Sequence, residues 1–150
     1  MSQFDILQII TGFLGSLGFA ILFNIRGNRL IGASIGGFLS WTLFVLLGFL
    51  TANEPLRYFI VALTISIYAE IMARVLKTPT TTFHMTALIP LIPGGSLYYT
   101  MASIFEGNHE SFLTKAIHTL QLAIALALGI VLVTAVARTV TRIRKAPTKN

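Results

Sequence analysis

The chain has 150 residues and no cysteine, and its eleven Lys and Arg against five Asp and Glu give a formal charge of +6. It is 55% hydrophobic and 11% charged, far from the roughly 25% charged residues of a soluble domain, so an ordinary water-soluble fold is excluded. Without cysteine, disulfides and thiolate metal sites are excluded as well.

Charge-free intervals mark the predicted elements. Asp5 and Arg26 bracket the first, residues 6–25, long enough to span a bilayer, for which about 20 apolar residues suffice. It lacks a basic leader and a small-residue cleavage site, so it reads as a retained span rather than a signal peptide. Its "GFLGSLG" (12–18) reads as a helix-packing face, and Asn24 at its end as a helix cap or a weak site candidate. The second span is predicted over 30–51 and opens with "GASIG" (32–36). That string matches the G-x-S-x-G nucleophile pattern around Ser34, but no strand precedes it and no base or acid accompanies it. Gly32 and Gly36 read better as small residues that let helix backbones approach.

The third span, 57–76, carries two charges near one end. Glu70 and Arg74 stand at i, i+4, share a helix face and can pair. An acid inside a span is costly unless paired or wet, so two readings stand: a salt bridge that pins the helix end, or a coupling or gating group.

The fourth span, 82–105, contains "ALIPLIPGGSLYYTM" (87–101). Pro90 and Pro93 each remove an N–H and clash with the preceding turn, and Gly94 and Gly95 permit unusual backbone angles. The helix is therefore expected to break near mid-membrane, where freed backbone groups must be buried in protein or face a wet cavity. If helix resumes after Pro93, the amides of Gly95, Ser96 and Leu97 open a half-helix that attracts an anion such as a carboxylate. Broken helices of this type build the substrate sites of many secondary transporters. The expected site comprises Pro90, Pro93, Gly94, Gly95, Ser96, Tyr98 and Tyr99, with the Thr100 hydroxyl nearby. A proline kink that only shapes packing is the alternative.

The fifth span is predicted over 116–137, with packing pairs Ala123, Ala127 and Ala125, Gly129. A basic tail, 138–150, follows. Nine of the eleven basic residues then fall on alternate flanks: Arg26, Arg29, Arg74, Lys77, Arg138, Arg142, Arg144, Lys145 and Lys149. The opposite flanks keep Arg57 and Lys115 with Asp5, Glu54, Glu106 and Glu110. This bias predicts an all-α polytopic membrane protein of five spans with its N-terminus outside and C-terminus inside.

His84, His109 and His118 have no metal-ligand spacing, so no metal is expected. His84 and His118 sit near helix ends, where a wet imidazole costs little. No G-x-x-x-x-G-K-[ST] string is present, so transport would draw on an ion gradient, and neither a cofactor nor a nucleic-acid partner is expected. An intramembrane hydrolase built on Ser34 or Ser96 lacks a histidine at the right depth.

"SLGFAILFN" (16–24), "AEIMARVLKTP" (69–79) and "ALIPLIPGGSLYYTM" together resemble the threonine/serine exporter family. The resemblance covers nearly the whole chain and is closest to the small subunit of its two-component form, linked to export of threonine and serine or of succinate. It implies a plasma (inner) membrane location and a larger five-span partner subunit, fused in other members into one ten-span chain. A partner that starts inside and crosses five times ends outside, where this chain begins, so the two would stand inverted. The rival expectation is a scaffold subunit whose partner holds the substrate path.

Overall fold

Helix ends in this chain are set by caps rather than by the outermost charges. The computed structural model describes residues 3–145, and among them every element is helical. They are α1 (Gln3–Leu22), α2 (Asn28–Leu50), α3 (Glu54–Val75), α4 (Thr80–Leu88), α5 (Gly94–Phe105) and α6 (His109–Lys145), with a 3-10 turn at Ile89–Leu91 between α4 and α5. α1 stops where Asn24 takes φ 57. The Ile25 N–H then reaches back to the Ala20 carbonyl at 3.0 Å, and the Asn24 N–H to Ile21 at 2.9 Å. That paired bonding is the left-handed C-terminal cap. Asn24 also accepts from Arg26 Nε at 2.9 Å, so its role in the fold is a cap. Lys77 (φ 48) and Gly107 (φ 69) end α3 and α5 in the same way: Thr78 N–H donates to Ala73 O and Asn108 N–H to Ser103 O. α3 begins at Asn53, whose side chain accepts from Leu56 N–H at 3.1 Å.

α1, α2, α3 and α6 are each long and apolar enough to cross a membrane, and the bent pair α4–α5 makes a fifth crossing if counted as one span. The chain is a multi-pass membrane protein. No proline or glycine stands between residues 138 and 145, and arginine is a good helix former. α6 therefore runs through the first half of the expected tail to Lys145, about 55 Å at 1.5 Å per residue. Lys149, at the end of that tail, lies outside the described residues.

Lipid removes the hydrophobic drive between helices, so close packing must supply the cohesion. Small residues do this here. The Gly32–Gly36 stripe is buried; a Cβ on Gly36 would lie 3.0 Å from Ala87 on α4 and 3.1 Å from the Tyr68 ring on α3. Gly12 of α1 accommodates the Trp41 indole, and Gly37 of α2 accommodates Ser16. On α6, a Cβ at Gly129 would lie 2.9 Å from the Phe59 carbonyl, so α3 and α6 meet backbone to backbone. Gly15, in the middle of "GFLGSLG", has nothing near it, and Ala123 and Ala127 are exposed.

The α4–α5 break bends the path by 51°. Pro90 has no N–H, so the Thr86 carbonyl one turn earlier loses its helical partner. The Ser16 hydroxyl of α1 takes its place, donating to Thr86 O at 2.7 Å, with the Ala33 carbonyl 3.2 Å away. Ser16 and Thr86 are both fully buried. The Ile89 carbonyl, orphaned by Pro93, accepts from Ile92 N–H at 3.1 Å instead. Replacing Ser16 with alanine should leave a buried carbonyl unpaired and cost about 1–2 kcal/mol. Thermal denaturation of the purified chain measures this, with Gly15→Ala, whose methyl meets nothing within 4 Å, as a control that should not lower stability.

Candidate functional site

The break ends by turning its amides towards a cleft. Pro93 sits at φ −73, ψ 59, the inverse γ-turn conformation, and the Gly94 N–H is drawn onto Ile92 O at 2.6 Å. α5 starts at once, and Leu97 N–H already donates to Pro93 O at 3.0 Å. The expected trio of free amides is therefore a pair. Leu97 is inside the helical ladder, while Gly95 and Ser96 N–H have no partner among the described residues. No side chain caps α5, and a helix start left this way presents partial positive charge.

Both amides line a cleft of about 660 Å³ shared with Pro90, Pro93 and Gly94 of the break. Its opposite wall comes from the start of α1, the end of α2 and the start of α3: Asp5, Trp41, Gly48, Glu54, Arg57 and Tyr58. Arg57 is the main addition that the sequence reading did not assign to the site. Its guanidinium lies 4.5 Å above the Phe44 ring, a cation–π contact, and its Nε is buried without a hydrogen-bond partner. Gly48 leaves the space it occupies, since a Cβ there would stand 2.6 Å from Nη1. The ring stack Trp41, Phe44, Tyr58, with edge-on contacts at 5.5 and 5.0 Å, forms the floor. One signal in the sequence did point to Arg57: it is a basic residue on a flank that is otherwise mostly acidic.

Tyr98, Tyr99 and Thr100 are placed elsewhere. Tyr98 and Tyr99 do not line the cleft; they stand edge-on to each other at 5.4 Å, 69% and 61% exposed. Tyr99 lines a smaller recess against α6 together with Ser96, Lys115 and His118. Thr100 is buried; its hydroxyl donates to Ser96 O at 2.7 Å and lies 3.0 Å from Thr119 Oγ1, tying α5 to α6. His118 pairs with Glu54 at 3.0 Å across α6 and α3, a tie that the sequence spacing did not suggest.

A second cavity, about 810 Å³, opens at the other end of the bundle. It is lined by Glu70 of α3, Thr80, Thr81 and His84 of α4, and Arg138 and Arg142 of α6. Glu70 and Arg74 pair as their spacing suggested, at 3.7 Å. His84 departs from the expectation of a wet imidazole at a helix end: its Nε2 is buried and unpartnered, because α4 packs that face against α3. Val61 and Ile65 of α3, Ala87 and Leu88 of α4, and Leu91 belong to one buried apolar cluster. Along α3, Val61 and Ile65 fall between Arg57 and Tyr58, which line the cleft, and Glu70, which lines the second cavity. Among the described residues no cluster of three or more His, Asp or Glu could hold a metal.

Residues 8–136 match a family model described as Threonine/Serine exporter, ThrE. No curated protein and no solved structure matches the chain.

The cleft geometry makes a labelling prediction on a chain that has no native cysteine. Ser96→Cys should react with a charged, membrane-impermeant thiol reagent. Thr100→Cys, one turn on and sealed against α6, should be protected until the protein is unfolded.

Proposed function

The chain belongs to the threonine/serine exporter family, and from that premise we propose that it forms part of the substrate path of a secondary exporter for small carboxylate-bearing solutes. The solutes are threonine and serine or a dicarboxylate such as succinate. The observation that carries this reading is the convergence of Arg57 with the unpartnered Gly95 and Ser96 amides on one cleft. A carboxylate seated there would meet a full positive charge and a helix start together, an arrangement suited to an anion. The Glu54 and Asp5 carboxylates on the same wall would repel a second carboxylate and attract an ammonium.

The basic-residue bias supports an N-out, C-in arrangement in the plasma membrane. In that frame the cleft opens outward and the cavity around Glu70 inward. The apolar cluster that holds Val61 and Ile65 is the barrier that an alternating-access cycle would move. Transport would be driven by an ion gradient, and Glu70 with Arg74 would serve as a gating pair at the inner cavity.

A partner subunit is part of this reading. α5 packs mainly on α6 and leaves Leu97, Tyr98, Tyr99, Met101 and Phe105 exposed. A larger five-span subunit of the same family, inverted relative to this chain, would cover that face. The same exposure favours the rival reading, in which this chain is a scaffold and the partner holds most of the path.

The test is efflux of threonine and succinate from whole cells carrying Gly94→Leu with Gly95→Leu, and separately Arg57→Gln. A Cβ at either glycine meets nothing within 4 Å, so insertion and abundance should be retained while the leucines fill the cleft. Efflux is expected to fall at least tenfold in both variants at normal membrane abundance. Undiminished efflux would move the substrate path to the partner.

A further inference from the structure

The cavity at the Glu70 end offers more than the Glu70–Arg74 pair, for Arg138, Arg142 and His84 also line it. Glu70 lies five residues before the end of α3, about 7 Å inside it at 1.5 Å per residue, with a side chain only 18% exposed. A carboxylate so placed is costly without strong partners. Its one ion-pair partner among the described residues, Arg74, stands 3.7 Å away and is itself half exposed. That separation exceeds hydrogen-bond range, so the acid's acceptor capacity is open. Across the cavity, α6 presents Arg138 and Arg142 one turn apart, and α4 contributes His84 with its buried, unpartnered Nε2.

Acid on one wall and two guanidinium groups on the other select for a solute that carries both signs. A dicarboxylate would satisfy the arginines but press its second charge towards Glu70. An uncharged solute would satisfy neither wall. An α-amino acid fits both, with its ammonium at Glu70 and its carboxylate at Arg138 and Arg142.

We propose that this cavity is a second binding station for an amino acid, in which Glu70 receives the ammonium group and Arg138 with Arg142 the carboxylate. It rests on the reading of the chain as lining an exporter's path, and it names which solute class that path favours. Two stations separated by that apolar cluster would let one solute be handed from one end of the bundle to the other. A phosphatidylethanolamine headgroup shares the ammonium–anion chemistry, so the experiment must separate the two sources.

The experiment measures binding to the purified full-length chain in detergent, using L-threonine and 3-hydroxybutyrate, which keeps the hydroxyl and carboxylate but lacks the ammonium. The Gly94→Leu, Gly95→Leu chain serves as the background, so that occupancy of the cleft is removed. Glu70→Gln is expected to weaken threonine at least tenfold and leave 3-hydroxybutyrate unchanged, and Glu70→Asp to recover part of the loss. Arg138→Gln with Arg142→Gln is expected to weaken both probes. Absence of saturable threonine binding in the leucine background would overturn the inference and leave the reading of the cleft standing. Equal weakening of both probes by Glu70→Gln would also overturn it, as would thermal protection by phosphatidylethanolamine but not by threonine.

Discussion

The hydroxyl of Ser16 on the Thr86 carbonyl is the contact on which the rest of the structure depends. In lipid an unpaired carbonyl has no water to turn to, so a proline in the middle of a crossing is tolerated only where another part of the protein supplies a donor. α1 supplies it, at 2.7 Å, and can do so because Gly37 on α2 leaves room for Ser16 between the helices. A larger residue at position 37 would push the donor away from the carbonyl. The break is thereby fixed against α1 and α2 and does not act as a free hinge between α4 and α5.

With the carbonyl side sealed, the consequences of Pro93 fall on the amide side. The γ-turn consumes the Gly94 N–H and α5 consumes that of Leu97, leaving two donors at one point and facing one way. Gly94 and Gly95 contribute nothing to packing, for their missing side chains would meet open space. That contrasts with Gly12, Gly36, Gly37 and Gly129, each of which is held against another helix. Glycine thus serves two ends here. Buried, it lets helices approach; at the break, it keeps the two amides uncovered.

The bundle sorts its chemistry along its length. Charged and polar groups line a cavity towards each end, while Val61, Ile65, Ala87, Leu88 and Leu91 belong to one buried apolar cluster. α3 lines both cavities, with Glu54, Arg57 and Tyr58 at one and Glu70 at the other. α4 lines the cavity around Glu70 and leads into the break, whose Pro90, Pro93 and Gly94 line the cleft.

Much of this was legible in the amino-acid order because lipid imposes local rules. Interval lengths between charges give crossings, and prolines followed by glycines give a break, whatever the neighbours are. The pairing of Glu70 with Arg74 follows from helical geometry alone. Other features depend on distant segments and so left little trace in the order of residues. Arg57 reads as a flank charge until α2 places Phe44 beneath it and the break opposite. Tyr98 and Tyr99 read as site residues until the start of α5 fixes which face they take. His84 reads as wet until α4 lies against α3, and the 70-residue separation of Ser16 from Thr86 hides their contact from any local pattern. The one-dimensional order settled where the backbone must be broken. Packing settled what the broken ends face, because direction around a helix axis is decided by the neighbours that cover it.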